Sequence, residues 1–450
     1  MTSRRRWALL AVLLTLAACS VTPGADEPAQ GTKEPASRGV DEGKVTLTVW
    51  DQEVRGGQRE QIERLNSQFE RKYPNVTIKR VAKSFTDLQT TVKLAVSDEN
   101  PPDVVQANQG RPVMGQLVKG GLLLPLDDYA NAYGWDKRYS PTLLDLNSFS
   151  RDGREYGSGS LFGLSQVGEV VGVFYNKEML RSLGLEIPAI FEEFEAALAK
   201  AKQAGEVPIQ FGNLEKWPGI HEFQAVQNEF APKEYLRDFV FARAGASFEE
   251  PANVRAAALL RQWADKGYFT PGFNGLSYEE AWPQFGKGQG LFLISGTWLN
   301  AGLEESMGDD VGFFLMPPRQ PGVDPIALGG EGLPFAVTAA SKHPDTAAAY
   351  IDFVTNRNAA AVIVEEGGLP AMSLPTPKPP AGTSLDDIFA AWKSLNARDG
   401  IVPYLDYATP TFYDTVTAAV QELVAGKASP QQFVDRLQED YSSFIESTER

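Results

Sequence analysis

From Val45 onward the chain alternates between two hydrophobic periods, one of two residues and one close to four. VTLTVW at 45–50 alternates as a half-buried strand does; Ile62, Leu65, Phe69 and Tyr73 then recur at helical spacing, and VTIKRV at 76–81 returns to alternation. These three segments predict a βαβ unit. A further helix opens at Ser84, with Asp87 three residues on in a capping-box arrangement and Leu88, Thr91, Val92, Ala95 and Val96 on one face. The strand DVVQA at 103–107 follows. Beyond it, GVFYN at 172–176 reads as a strand, and a helix over 191–204 aligns Phe191, Phe194 and Leu198 before Gly205 stops it. Short strands are expected at 291–294, 311–317 and 334–339, then a helix after Pro344 carrying Tyr350, Ile351 and Val354. The last helix starts at Ser429 and Pro430 and lines up Phe433, Leu437, Tyr441 and Phe444. Repeated strand–helix alternation predicts an α/β fold of mostly parallel sheets covered by helices, because parallel strands need crossovers and are buried on both faces. A second sheet is expected beyond residue 170.

The first residues break this pattern. A basic start at Arg4, Arg5 and Arg6 leads into WALLAVLLTLAA at 7–18, too short to span about 30 Å of hydrocarbon, and reads as an export signal. Leu16, Ala17, Ala18 and Cys19 resemble the lipobox of bacterial lipoproteins, in which cleavage precedes a cysteine whose thiol receives diacylglycerol. That resemblance implies a signal peptide at 1–18 and lipid on Cys19. Ser3, Arg4 and Arg5 leave general secretion and twin-arginine export both open. Residues 19–43 contain three Pro and four Gly and no aromatic residue, a composition that does not bury enough surface to fold. This stretch is expected to be a disordered tether with a reach of roughly 25–30 Å.

Composition narrows the chemistry. The 450 residues, 43% of them hydrophobic, suffice for two or three domains, and 42 Lys+Arg against 58 Asp+Glu give a net charge of −16. With no basic stripe, nucleic acid is not an expected partner. One Cys and two His argue against internal disulfides, thiolate cages and imidazole zinc sites, so no metal and no cofactor is expected. GxSxG, GK[ST], GxGxxG, HExxH and CxxC are absent from the sequence. A pair of carboxylates is the one catalytic constellation left, and no pair is singled out. His221, before Glu222 on a helix, reads as structural or surface, and His343 as a helix-start residue. What stands out is aromatic and polar residues at strand ends: Trp50 precedes Asp51 and Gln52, and Asn108 and Gln109 follow DVVQA. Ligands of open α/β sheets bind outside the carboxyl ends of strands. Sugars offer apolar faces for Trp, Tyr and Phe, and hydroxyl edges for amides and carboxylates.

The order of segments resembles one family. VTLTVWDQ, RKYPNVTIKRV, LAVSDENPPDVVQA and LVKGGLLLPLDDY are followed by GVFYNKEMLRSLGLEIP and FEEFEAAL. After these come FGKGQGLFLISGTWL, VGFFLMPP and LGGEGLPFAV before SKHPDTAAAYIDFVTN. Together they are similar to the extracellular solute-binding proteins of ABC importers, in the carbohydrate-binding group that includes maltose-binding protein, over about residues 44–445. The resemblance implies a two-lobed, periplasmic-binding-protein-like fold of type II, with a hinge between lobes that close on a ligand. Carried onto this chain, the first lobe is 44–168 plus 318–367 and the second 169–317 plus 368–450, with crossings near Gly168, Pro317 and Gly367.

The resemblance also implies the site and the partners. Glu169, five residues before FYN, matches a cleft carboxylate that takes sugar hydroxyls, and Trp298 matches a stacking Trp. Phe412 falls near a C-terminal stacking aromatic, with Phe in place of Trp and a register open to a slip of one. Asp51 and Gln52 match polar residues after the first strand, Gly330 and Glu331 the Gly-rich loop brought against ligand, and Trp217 a second-lobe aromatic; Trp282 is more at home packing a helix. Asn108 and Gln109, after Ala107, depart from the charged and aromatic residues of maltose-binding protein, so maltodextrin is not implied. A neutral mono- to oligosaccharide is expected, with an amino sugar, a polyol or a non-sugar left open. The implied protein is a non-enzymatic monomer, lipid-anchored at the outer face of the cell membrane, that hands its ligand to the permease of an ABC transporter. An exported carboxylate glycosidase and an adhesin or sensor lipoprotein are the alternative readings.

Overall fold

The computed structural model describes residues 37–448. The signal segment 1–18 and Cys19 lie outside the described residues, as does most of the expected tether. Its last residues, 37–43, are docked: Gly39 N donates to Tyr133 Oη at 3.0 Å, Asp41 N to Thr346 Oγ1 at 2.9 Å, and Asp41 Oδ2 meets His343 Nδ1 at 2.9 Å. Residues 37–43 of the expected tether are therefore part of the folded body, because their polar groups find partners on it. His343 itself sits at the N-cap of the helix Pro344–Val354. Among the described residues no helix is long and apolar enough to cross a membrane.

The strands are β1 (Val45–Asp51), β2 (Val76–Ala82), β3 (Val104–Gln106), β4 (Ser148–Phe149), β5 (Ser160–Leu161), β6 (Gly168–Asn176), β7 (Phe292–Gly296), β8 (Val311–Phe314), β9 (Ala327–Glu331), β10 (Phe335–Val337) and β11 (Ile401–Val402). One sheet has the order β10-β3-β1-β2, with β1 parallel to β2 and β3, and β10 antiparallel to β3. Its core follows from the alternation in β1, whose Val45, Leu47 and Val49 are buried with Ile62, Leu65 and Phe69 of the helix Gly56–Lys72. The next helix starts where expected, since Ser84 Oγ accepts from Asp87 N at 3.1 Å.

A second, five-stranded sheet runs β11-β9-β6-β7, with β8 also on β6, and β4 and β5 pair antiparallel as a small sheet of their own. All nine residues of β6 are buried, as befits a strand paired on both edges. β6 is antiparallel to β7, β8 and β9, and β11 is parallel to β9, so β6 alone runs against a sheet whose other strands point one way. One expectation is corrected here. Residues 318–331 were assigned to the first lobe, but β9 pairs with β6 and β11 in the second sheet. The chain therefore returns between Glu331 and Phe335 rather than near Pro317.

The passages between sheets lie side by side. Leu164 and Phe335 exchange backbone hydrogen bonds of 3.1 and 2.8 Å, and Gly332 N donates to Val167 O at 3.0 Å. On the other edge Gly168 N donates to Leu369 O at 2.7 Å and Ala371 N to Gln166 O at 3.2 Å.

A side chain adds a second tie. Arg111, just after β3, is buried; its Nη1 donates to the carbonyls of Val240 and Ala408, both at 2.8 Å, and its Nη2 to that of Phe241 at 3.2 Å. The guanidinium carbon lies 5.4 Å from the Tyr156 ring and 5.0 Å from that of Phe444. Burial pushes Arg111 down to about 10, so it stays charged at neutral pH. Replacing Arg111 by Met removes these donors and strands buried carbonyls, an expected loss of about 2–4 kcal/mol. The measurement is the urea midpoint of unfolding; a midpoint equal to that of the unsubstituted protein would show that these bonds contribute nothing net.

Candidate functional site

Between the two sheets lies a cleft of about 610 Å³. The first sheet brings Gln52, which follows β1, and Asn108 and Gln109, which follow β3, so the carboxyl ends of both strands open onto it. The passages contribute Glu169, Glu331 and Leu333. From the second sheet's side come Trp217, Ile220 and His221 around the start of the helix Pro218–Gln227, Trp298 after β7, and Tyr404, Asp406, Tyr407 and Tyr413.

Local structure aims each group. Trp217 and His221 are four residues apart, one helical turn, and therefore share a face; their ring centroids are 5.3 Å apart. His221 is also 5.5 Å from the rings of both Trp298 and Tyr404, and Trp298 Nε1 donates to Tyr278 Oη at 2.6 Å. The rings are mutually tilted, as aromatic quadrupoles favour, and together form an apolar wall. Opposite stand the amides. Gln109 Nε2 donates to the carbonyls of Glu331 and Gly332 at 3.2 and 2.8 Å, and its Oε1 accepts from Tyr407 Oη at 3.1 Å. Gly110, at φ +77°, lets this loop press on Tyr407, since a Cβ there would lie 2.5 Å from the Tyr407 Cβ.

The acids are held out of water. Burial, and after it the charge of Glu53, pushes Glu169 up to about 8, with Arg55 pulling the other way. Glu331 is likewise raised by burial to about 8, although Asn147 Nδ2 and Gln109 act to lower it. Asp406 is raised by burial to about 7. Burial drives His221 down to about 3, leaving a neutral imidazole with one donor and one acceptor nitrogen. Glu331 Oε2 and Tyr404 Oη are buried with no hydrogen-bond partner among the described residues. Buried polar atoms are nearly always paired, so the cleft presents acids, amides and hydroxyls ready for a partner bearing several hydrogen-bonding groups.

Of the residues expected from the sequence, the structure brings Gln52, Asn108, Gln109, Glu169, Trp217, Trp298 and Glu331 together around this cleft. Three expectations are corrected. Asp51 is fully buried beneath the site, its two oxygens accepting from Arg80 Nη2 and Nε, each at 2.7 Å. Gly330 faces away, because a Cβ on it would meet Leu146 Cδ1 at 2.5 Å. Phe412 packs in the core against Phe239 at 5.4 Å and Phe248 at 6.1 Å, and its neighbour Tyr413 reaches the cleft instead. Trp282 lies outside the cleft, its Nε1 donating to Glu279 Oε2 at 2.9 Å.

Sequence reasoning missed Arg55, Phe85, His221 as a lining group, Tyr404, Asp406 and Tyr407. Two signals were present. His221 follows Trp217 by one helical turn, and PYLDYATPTFY at 403–413 gathers four Tyr or Phe and an acid after a short apolar pair.

Known proteins bear on this geometry. The family described as bacterial extracellular solute-binding protein matches residues 56–361, more than half of the chain. The multiple sugar-binding protein of Streptococcus mutans is 22% identical over 343 residues, 73% of this chain and 75% of that protein. The melibiose/raffinose/stachyose-binding protein of Bacillus subtilis is 22% identical over 435 residues, 91% of this chain and 92% of that protein. A solved chitin oligosaccharide binding protein superposes with a TM-score of 0.76 at 22% identity, covering 89% of this chain and 99% of that one, which establishes the shared fold. With two sheets, three adjacent passages, a cleft between them and this match, the chain belongs to the bacterial extracellular solute-binding protein family.

Proposed function

We propose that the protein captures a neutral sugar, a mono- or short oligosaccharide, between two lobes and presents it to the permease of an ABC importer. One lobe carries β1, β2, β3 and β10, and the other β6 to β9 and β11. A lipid on Cys19 and the tether keep the monomer at the outer face of the cell membrane. The observation that carries the reading is the make-up of the cleft, where tilted rings of Trp217, Trp298, Tyr404 and Tyr407 face the amides of Asn108 and Gln109 and the acids Glu169, Glu331 and Asp406. Flat apolar faces edged by hydroxyls fit such walls. The sugar ligands named for the relatives support the same class. Glu169 and Glu331 take hydroxyls in this reading, Trp298 and Trp217 stack, and closure makes the form that the permease recognises. Binding of this kind requires no bond to be broken.

The test is a thermal-shift screen of the refolded protein against mono- and oligosaccharides. A true ligand at about 100 times its Kd stabilises by about 2.7 kcal/mol and is recovered chemically unchanged; consumption of the sugar would turn the reading to an enzyme. In the sugar class that binds, Trp298→Ala is expected to weaken affinity at least about tenfold by titration calorimetry, and unchanged affinity would remove the ring from the site.

The raised acids set a pH dependence. Carboxyls of the unfolded chain ionise near pH 4.3, whereas Glu169 and Glu331 in the folded chain do so at about 8 and Asp406 at about 7. Between roughly pH 5 and 8 the folded protein therefore holds more protons than the unfolded one, and its stability falls as pH rises. The ligand-free Tm is expected to drop from pH 5 to pH 8, with a shallower drop in Glu169→Gln. An equal slope in both proteins would mean that Glu169 is ionised throughout.

A further inference from the structure

The loop after β1 ends at Arg55, which leaves the first sheet's side and engages the N-terminus of the helix Tyr278–Gly286 on the other. Its Nη2 and Nε both donate to Glu279 Oε1, at 2.5 and 3.1 Å, and its guanidinium carbon lies 5.8 Å from the Tyr278 ring. Glu279 is held from behind as well, because its Oε2 accepts from Trp282 Nε1 at 2.9 Å. Tyr278 in turn is fixed by Trp298 Nε1 at 2.6 Å and by Ser295 Oγ at 2.8 Å. Arg55 and Trp298 line the sugar cleft on one side and a separate outer groove of about 1000 Å³ on the other.

That outer groove carries an aromatic ring and polar side chains. Trp282, with its ring 3.1 Å from where a Cβ on Gly302 would stand, forms its floor, and Gln58, Lys287 and Glu305 supply polar edges. The two spaces share Arg55 and Trp298 as walls, and Glu279 holds Arg55 in that position. Exposed ion pairs contribute little, but this one is reinforced by an indole donor and a ring beneath the cation, and the Arg55 side chain is only 18% exposed.

We infer that Arg55, held by Glu279, is the end wall of the cleft and sets the length of the ligand, admitting one or two sugar units and excluding a chain that continues outward over Trp282. The inference rests on the sugar-binding reading. A longer oligosaccharide has to displace the pair from its partners before an outer unit reaches the Trp282 ring, and a hydrophobic stack exposed to solvent returns only part of that cost. Removing the Glu279 carboxylate frees Arg55 to swing aside and joins the two spaces.

The test is titration calorimetry of the full chain with α-1,4-gluco-, xylo-, galacto- and chito-oligosaccharide ladders of one to four units. In the ladder that binds, affinity is expected to fall at least about tenfold between two and four units. Glu279→Ala raises the ratio of four-unit to one-unit affinity at least about tenfold, and adding Trp282→Ala takes that gain away. Glu279 is 54% exposed, so the variant keeps the fold, which its Tm checks. Equal affinity along the ladder in the unsubstituted protein, or a length ratio that Glu279→Ala leaves unchanged, overturns the wall and leaves the sugar reading standing. Failure of every ladder to bind either protein overturns the sugar reading, and the wall with it.

Discussion

Three backbone segments laid side by side, at 164–168, 332–335 and 369–371, are the constraint on which the site depends. Where the chain passes from one sheet to the other its peptide groups are buried, and buried N–H and C=O groups must be paired. They pair with one another, Leu164 with Phe335, Gly332 with Val167 and Gly168 with Leu369. That pairing fixes the register in which β6 begins and β9 ends, with Gly168 opposite Glu331 and Glu169 opposite Gly330. Two of the three cleft acids, Glu169 and Glu331, are thus placed by the strands that join its halves, and any motion of the halves about these segments moves walls around that pair of carboxyls. Hinge motions of this kind turn on a few residues at element ends.

The cleft is costly to maintain in water-free surroundings. Glu169, Glu331 and Asp406 are raised and His221 is lowered by the same cause, the loss of solvent. A ligand that donates hydroxyls to these oxygens replaces the solvation they gave up on folding, while the tilted rings exclude water from its faces. Specificity then comes from which edges meet which polar atoms, since each stranded group on a poor ligand carries a penalty. Gln109 couples this to the frame, because one amide holds the Glu331–Gly332 passage and also accepts from Tyr407 across the cleft.

At Asp51, Gly330 and Phe412 the sequence expectation is off by a single residue, and the reason is the direction in which neighbouring side chains point. Successive residues of a strand point to opposite faces. Asp51 and Gln52 were expected together, yet Gln52 lines the cleft while Asp51 turns back to Arg80; Gly330 and Glu331 divide the same way. On a helix one residue is a turn of about 100°, so Phe412 enters the core while Tyr413 faces the cleft. A pattern that identifies a strand end or helix start does not say which of two neighbours faces the ligand unless the partner elements are known.

The sequence by itself determined the class and many of the elements. Alternation in β1 and β2, the apolar run of β6, the Ser84 cap and the periodicity of the long helices are local, and each rests on interactions within a few residues. The polar residues after β1 and β3 were legible for the same reason, because strand ends are local features, whereas Trp298 after β7 came from the family resemblance. Only the tertiary structure decided that β9 joins the second sheet, that PYLDYATPTFY closes over the cleft and that Arg55 crosses to Glu279. Each of those depends on contacts between residues more than 150 apart in the chain, and nothing in a local pattern records which distant partner will satisfy a buried strand edge or a free guanidinium.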